Sequence, residues 1–148
     1  MDKVLDRLWI GDAADGRNTQ LITANGITAV FNATQETDGW SEEFKTKVAY
    51  IRLDQPDGVP IPFDRLDIFT TFMDKVYDLE QKTVLVHCGA GVSRASTFTI
   101  LTLMLYHTKT WDEGEEIVRA VRPMISPNPI LKTSVMDWWV YRAGNWLR

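Results

Sequence analysis

Apolar and polar positions along the chain form blocks that predict strands alternating with helices. Runs rich in β-branched residues at 27–33 and 83–86 predict buried strands, and the runs 4–10 and 48–53 predict two more. A long apolar run over 94–106 predicts a helix that is buried on nearly all sides. Because strands alternate with helical segments, we expect an α/β fold with a central, mostly parallel sheet of four to five strands flanked by helices.

Capping residues locate the remaining helices. Asn18 predicts the start of a short helix that ends at residues 25–26, and Ser41 predicts the start of a short helical turn. Asp112 is expected to cap a later helix that ends at Arg122, before a proline. Two further helices are predicted. One begins at Pro62 and has apolar positions at helical spacing, which are Leu66, Phe69, Phe72, Met73 and Val76. The other begins at Pro129 and is expected to dock an aromatic-rich tail (136–148) on the core.

The segment between the strand 83–86 and the buried helix has the composition of a phosphate-binding loop. Gly89 and Gly91 allow its backbone to curl so that successive N–H groups converge, and the helix beginning at Arg94 adds its positive end. A guanidinium can bind two oxygens of a phosphate at once. Cys88, the only cysteine, is expected at the base of this loop, where these groups would favour a thiolate. The segment therefore predicts nucleophilic attack on phosphorus.

This segment resembles the signature loop of the cysteine-based protein tyrosine phosphatase superfamily, which has a His-Cys pair followed by five residues and an arginine. Its full form, His87-Cys88-Gly89-Ala90-Gly91-Val92-Ser93-Arg94, is most similar to that of the dual-specificity phosphatases, and residues 8–11 resemble the opening of that domain. The resemblance covers nearly the whole chain and implies a single catalytic domain over residues 1–148. It implies hydrolysis of phosphotyrosine, and also of phosphoserine and phosphothreonine in proteins, through a phosphocysteine intermediate.

The resemblance assigns roles to the residues of the loop and to a general acid outside it. Cys88 would be the nucleophile, with Arg94 and residues 89–93 binding the substrate phosphate. The general acid is expected in the loop 54–62, which contains three prolines and a glycine and is predicted to be flexible. Asp57 fits the spacing of the family, seven residues after an aromatic strand residue and 31 before the cysteine (88 − 57), better than Asp54 does.

Three more residues receive supporting roles with plainer alternatives. His87 is expected to be a buried imidazole that bonds to the loop backbone and tunes Cys88 rather than acting as a base. Asn128 either braces the signature loop, as the resemblance implies, or only caps the last helix, which we favour. Arg122 is either a solvated cation at a helix end or a contact for acidic groups beside the substrate phosphate.

One position departs from the family pattern. The residue after the arginine is usually Ser or Thr in the family, and its hydroxyl bonds to the departing thiolate; here it is Ala95, similar to the slow phosphatases of the regenerating-liver type. We therefore expect slow hydrolysis of the phosphocysteine. The alternatives are a phosphate-binding module with little turnover, or a phosphatase acting on a non-protein phosphate ester. Phosphoinositide-directed relatives tend to carry lysines in the loop, and residues 89–93 contain none.

Composition narrows the classes of partner and compartment. The 148 residues include 16 basic and 20 acidic side chains, and the resulting net charge of −4 argues against nucleic acid as a partner. A single cysteine suits a reducing compartment, and no signal peptide or long apolar run is apparent, so a soluble, cytoplasmic protein without membrane attachment is expected. Two histidines outside any cluster predict no metal site, and no cofactor is expected. The sequence leaves the oligomeric state open.

Overall fold

A five-stranded sheet lies at the centre of the protein, in a computed structural model that describes residues 1–146. Its strands are β1 (Asp2–Leu5), β2 (Leu8–Gly11), β3 (Ala29–Asn32), β4 (Ala49–Arg52) and β5 (Val84–His87), and their order in the sheet is β1-β2-β5-β3-β4. All neighbouring strands are parallel except β1 and β2. The predicted α/β fold with a mostly parallel sheet is confirmed.

The prediction of one strand over 4–10 is wrong, because this segment contributes to an antiparallel pair, β1 and β2, joined at Asp6 and Arg7. The Arg7 guanidinium donates to the carbonyls of Tyr77 (2.8 Å) and Lys82 (3.1 Å). These long-range bonds hold the turn against the segment that precedes β5. The edge strand that results is short, which limits the number of unpaired backbone groups.

Helices cover the two faces of the sheet. They are α1 (Ala13–Arg17), α2 (Thr19–Ala24), α3 (Glu42–Lys45), α4 (Phe63–Met73), α5 (Arg94–His107), α6 (Trp111–Val121) and α7 (Pro129–Trp146), and α4 continues as a π-helical segment over Asp74–Leu79. The predicted caps Asn18 and Ser41 accept hydrogen bonds from the first turns of α2 and α3. The predicted cap Asp112 is wrong, since Thr110 caps α6 two residues earlier and forms a reciprocal capping box with Glu113.

Helix α5 is the centre of the larger core, and its residues 95–104 are all buried. Phe98 on this helix packs against Phe31 of β3 and Phe69 of α4, with ring centroids 4.7 and 4.9 Å away. The predicted docking of the aromatic tail also holds, because Trp138 of α7 is buried and its indole N–H donates to Asp67 at 2.9 Å. Residues 147–148 of the predicted tail lie outside the described residues. This packing fixes the start of α5 at the end of β5.

Candidate active site

The segment after β5 forms a tight loop that delivers the chain directly into α5. Cys88 follows the last residue of β5 and is 2% exposed, and α5 begins at Arg94. Gly91 has φ +68°, and a Cβ there would lie 2.6 Å from Nη2 of Arg122 and 2.7 Å from the carbonyl oxygen of Gly11. Position 91 therefore requires glycine for both its conformation and its surroundings. The strand–loop–helix arrangement matches the prediction from sequence.

The carbonyl groups of residues 89–92 in this loop are all engaged by donors from distant parts of the chain. The backbone N–H of Ala13 donates to the carbonyl of Gly89 at 3.0 Å, and the backbone N–H of Ser126 donates to that of Val92 at 3.0 Å. The Arg122 guanidinium donates to the remaining two, the carbonyls of Ala90 (3.3 Å) and Gly91 (2.8 Å).

The N–H groups of the same residues are arranged differently. Within residues 1–146, no protein acceptor receives a hydrogen bond from the backbone N–H groups of residues 89–93. Because N–H and C=O of one peptide unit point in opposite directions, carbonyls bonded outward leave the N–H groups available on the inner side. The loop therefore keeps several backbone donors without a protein partner, next to the N-terminus of α5, and such an arrangement can bind an anion.

Arg122 has a structural role that neither sequence-based alternative described. It is only 7% exposed, so it is not a solvated cation, and its three nitrogens are occupied within the protein. Besides the two loop carbonyls it binds Asp2, with Nη1 and Oδ2 2.6 Å apart. A buried guanidinium paired in this way is costly to disturb. Arg122 thus connects the N-terminal strand to the loop through bonds that no local sequence signal could predict.

The Arg94 side chain is tied to the segment that follows β4. Its Nη1 donates to the carbonyl of Gln55 at 3.1 Å and approaches that of Ala33 at 3.5 Å. The guanidinium lines a cleft of about 290 Å³ beside the loop, which Gly89 and Asp54 also line. The planar group is therefore held at the mouth of the loop, where its other nitrogens can meet an anion.

The two candidate acids, Asp54 and Asp57, are both exposed, but they have different neighbours. Asp57 lies against the loop, because the Ser93 hydroxyl donates to its Oδ1 at 2.7 Å. The Ser93 oxygen in turn accepts the backbone N–H of Asn128 at 3.1 Å. Asp54 lines the cleft, and its backbone carbonyl accepts a bond from Arg65.

Asn128 combines the two roles that the sequence offered. Its side chain Oδ1 accepts the backbone N–H of Ile130 at 2.9 Å in the first turn of α7, and its backbone N–H braces the loop through Ser93.

The loop 54–62, predicted to be flexible, is in fact tethered. The buried Gln55 side chain donates to the carbonyls of Pro56 (3.1 Å) and Val59 (2.8 Å) inside this loop.

His87 has a partner that the sequence analysis missed. The imidazole is fully buried, and its Nε2 lies 2.9 Å from Oδ2 of Asp38, which is 5% exposed. The predicted bond to the loop backbone is long, with Nδ1 3.4 Å from the carbonyl oxygen of Cys88. Asp38 lies in a polar loop with no motif around it. The one sequence feature connected with this pair is Gly16, because a side chain at that position would collide with both Asp38 and His87.

Ala95 is buried in the first turn of α5. The neighbouring hydroxyl of Ser96 does not replace the one that the family pattern expects there, because it is directed at the carbonyls of Val92 (2.7 Å) and Ser93 (2.8 Å).

Among residues 1–146, no group of three or more His, Cys, Asp or Glu side chains is placed to hold a metal ion. Within the same residues, no helix has both the length and the apolar character needed to cross a membrane.

The comparisons with known proteins agree with this geometry. The family model described as dual specificity phosphatase, catalytic domain, matches residues 8–140, and the chain belongs to that family. Among curated proteins, it is similar to dual specificity protein phosphatase 14 from Mus musculus, with 36% identity over 129 residues that cover 85% of this chain and 62% of the relative. The same protein from Homo sapiens is 33% identical over 139 residues, which cover 92% of this chain and 67% of the relative. The chain thus spans only about three fifths to two thirds of these relatives.

Two solved structures share the fold at lower identity. Human DUSP28 superposes with a TM-score of 0.84 at 18% identity, covering 98% of this chain and 99% of that chain. The human tyrosine phosphatase-like serine/threonine/tyrosine-interacting protein superposes with a TM-score of 0.81 at 22% identity, covering 97% of both chains. The fold described above is therefore the fold of this family.

Replacing Arg122 with Lys tests the outward bracing of the loop. Lysine keeps the charge but cannot bond Gly91, Ala90 and Asp2 together, so we expect about tenfold weaker binding of inorganic phosphate, the equivalent of about 1.4 kcal/mol. Binding is measured as protection of Cys88 from alkylation by iodoacetamide. Arg119→Lys on the same helix is the control, because Arg119 bonds Glu115 and Ile125 rather than the loop. Equal protection in both variants would contradict the bracing role.

Proposed function

We propose that this protein is a phosphomonoesterase that hydrolyses phosphotyrosine, and also phosphoserine and phosphothreonine, in phosphorylated proteins or peptides. The observation that carries the proposal is the loop after Cys88, whose backbone N–H groups have no acceptor within residues 1–146, with the Arg94 side chain held beside it. A phosphate group bound there has its phosphorus above the sulfur and its charge surrounded by donors. Membership of the dual specificity phosphatase family supports the same activity.

In the first step, the Cys88 thiolate attacks phosphorus and the bond to the leaving oxygen breaks. The three equatorial oxygens gain charge in the transition state, and the loop N–H groups and Arg94 stabilise that charge. Asp57 donates a proton to the leaving oxygen, which would otherwise depart as an alkoxide or phenoxide. The Ser93 hydroxyl, 2.7 Å from Asp57, holds this carboxyl group beside the loop. The product of this step is a phosphocysteine.

In the second step, water attacks the phosphocysteine and the sulfur–phosphorus bond breaks. Asp57, now ionised, takes a proton from the water, the thiolate is regenerated and inorganic phosphate is released. No hydroxyl follows Arg94 to stabilise the departing sulfur, because the next residue is Ala95. The second step should therefore be the slower one.

A phosphate-binding module with little turnover is the second candidate, and Ala95 is the observation that favours it. Such a protein would form the phosphocysteine, or bind a phosphorylated partner, without releasing phosphate at a useful rate. A phosphatase acting on a non-protein ester is less well supported, since the loop 89–93 contains no lysine. We place the protein in the cytoplasm, because a lone cysteine nucleophile needs a reducing compartment. Its net charge of −4 argues against a nucleic acid as partner.

A rapid-quench time course with an aryl phosphate tests the proposed activity. We expect a burst of about one equivalent of aryl alcohol, followed by slower steady turnover, because phosphocysteine formation precedes its hydrolysis. Cys88→Ser should abolish both phases while phosphopeptide binding persists. A burst without later turnover would support the binding module. Unchanged turnover in the Cys88→Ser variant would rule out the thiolate mechanism.

Asn replacements at Asp57 and Asp54 distinguish the two candidate acids. Asp57→Asn should lower kcat/KM, which reports the first step, about 10²–10⁴-fold for a phosphoserine peptide, whose alkoxide needs a proton, and much less for 4-nitrophenyl phosphate. Asp54→Asn is the matched control from the same loop and should show no such dependence on the leaving group. If the dependence appears at Asp54 instead, the acid has been assigned to the wrong residue.

Ala95→Ser tests whether the missing hydroxyl limits turnover. A hydrogen bond to the departing thiolate contributes about 1.5–3 kcal/mol, so the steady-state rate should rise about ten- to hundredfold while the burst rate stays constant. Ser96→Ala is the control, because that hydroxyl faces the carbonyls of Val92 and Ser93 and its loss should leave the ratio of the two phases unchanged. A fall or no change in Ala95→Ser would refute this explanation.

A further inference from the structure

The carboxylate of Asp38 and the imidazole of His87 form a buried pair next to the nucleophile. Their side chains are 3% and 1% exposed, and Oδ2 of Asp38 lies 2.9 Å from Nε2 of His87. The pair is closely confined, because a Cβ at Gly16 would collide with both side chains. The Gly16 carbonyl is itself held by the indole N–H of Trp40 at 2.8 Å. A buried carboxylate in so small a space is not a solvated loop residue.

The surroundings of the imidazole are suited to its doubly protonated form. Nε2 faces a carboxylate oxygen, and Nδ1 faces the carbonyl oxygen of Cys88 at 3.4 Å. Both of these groups only accept hydrogen bonds. A neutral imidazole has one N–H and can satisfy one of them, whereas the imidazolium has two and can face both. The negative charge on Asp38 would also balance the buried positive charge.

In the part of the chain that the structure describes, the other elements around His87 bring no further charged group into contact with it. Its neighbours in the sheet are Gly11 of β2 and Asn32 of β3, and the residue facing it from α1 is Gly16. The nearby carboxylate on α1, Asp15, is bonded to the N-terminal amino group at 3.0 Å. Within residues 1–146, the titratable side chain that bonds to the imidazole is therefore that of Asp38, and the contact with Cys88 is through its backbone carbonyl.

Asp38 has further neighbours on its other side. The Tyr50 hydroxyl lies beside it, and burial raises the pKa of Tyr50, so this hydroxyl stays protonated at neutral pH. Arg17 and Arg94 line the same cleft as Asp38 and keep their charge at all relevant pH values. None of these three groups changes charge near neutrality. A change of the alkylation profile with pH in an Asp38 variant would therefore arise from the Asp38–His87 pair.

We propose that Asp38 is a positioning residue for the nucleophile, whose carboxylate holds His87 as an imidazolium beside Cys88 and thereby favours the Cys88 thiolate. The inference rests on the proposed role of Cys88 as nucleophile. The direction in which Asp38 would affect the Cys88 thiolate distinguishes this role from a direct one. A carboxylate acting directly on Cys88 would disfavour a second negative charge, whereas a carboxylate acting through His87 favours it, so removal of the charge has opposite effects in the two cases.

The alkylation of Cys88 by iodoacetamide, followed against pH, separates these cases. Cys88 is the only cysteine, so the rate reports this thiolate alone and needs no substrate. Asp38→Asn keeps the shape of the side chain and removes its charge, and we expect the pH midpoint of alkylation to rise by about one unit. Below the midpoint the rate should therefore fall about tenfold. Glu36→Gln, an exposed residue of the same loop, makes the same change in charge and should leave the profile in place.

Other outcomes of this experiment would overturn the proposal. A midpoint that moves to lower pH in Asp38→Asn would mean that Asp38 acts directly on the thiolate, and an unchanged midpoint would mean that the pair only supports the fold. In a His87→Asn background, the further change Asp38→Asn should have no upward effect, because the group through which Asp38 acts is gone. A normal alkylation profile with no phosphatase turnover would refute the proposed function without touching this inference.

A measurement on the unaltered protein guards against variants that fail to fold. The chain has two histidines, and a His107→Gln variant assigns their nitrogen-15 NMR signals. We expect both ring nitrogens of His87 to carry protons at pH 7, when the Cys88 thiolate is alkylated rapidly. A single neutral tautomer of His87 at that pH would refute the proposal.

Discussion

The site depends on a property of the peptide unit: a loop that turns several N–H groups toward one point must turn its carbonyls away from it. Buried or half-buried carbonyls need donors, and in this protein the donors come from distant parts of the chain. Ala13 follows β2, Arg122 ends α6, and Ser126 lies between α6 and α7. The helices around the sheet therefore do more than cover a core, because they and the segments beside them supply the bonds that shape the proposed phosphate-binding surface.

This constraint explains why a residue of the first strand and a residue just before the last helix both connect to the loop. Asp2 in the first strand pairs with Arg122, and the Asn128 backbone at the start of the last helix bonds the Ser93 hydroxyl. Neither contact touches the sulfur. Both help to fix the positions of loop residues, so a change at Asp2 or at Asn128 can alter the site from a distance.

The features that the sequence predicted well are those that local patterns determine. Hydrophobic periodicity located the parallel strands and α5, and the spacing from Cys88 to Arg94 located the loop. The features it missed depend on contacts between distant segments. The pairing of Asp38 with His87 exists only in the folded chain, where β5 places His87 beside Asp38. Arg122 resembled a surface cation in the sequence because its partners lie 31 and 120 residues away. The division of 4–10 into two strands also depends on distant carbonyls, which bind Arg7.

The segment that carries Asp57 has a kinetic consequence for the site as a whole. It is pinned by Arg94 at Gln55 and by Ser93 at Asp57, and the Gln55 amide braces it from within. A segment held in this way is part of a preorganised surface rather than a lid, so its conformational entropy is lost once, during folding, and would not be lost again in each turnover of the proposed reaction. In the proposed reaction, the rate would therefore be set by bond-making and bond-breaking at phosphorus and not by the closing of a loop over the site.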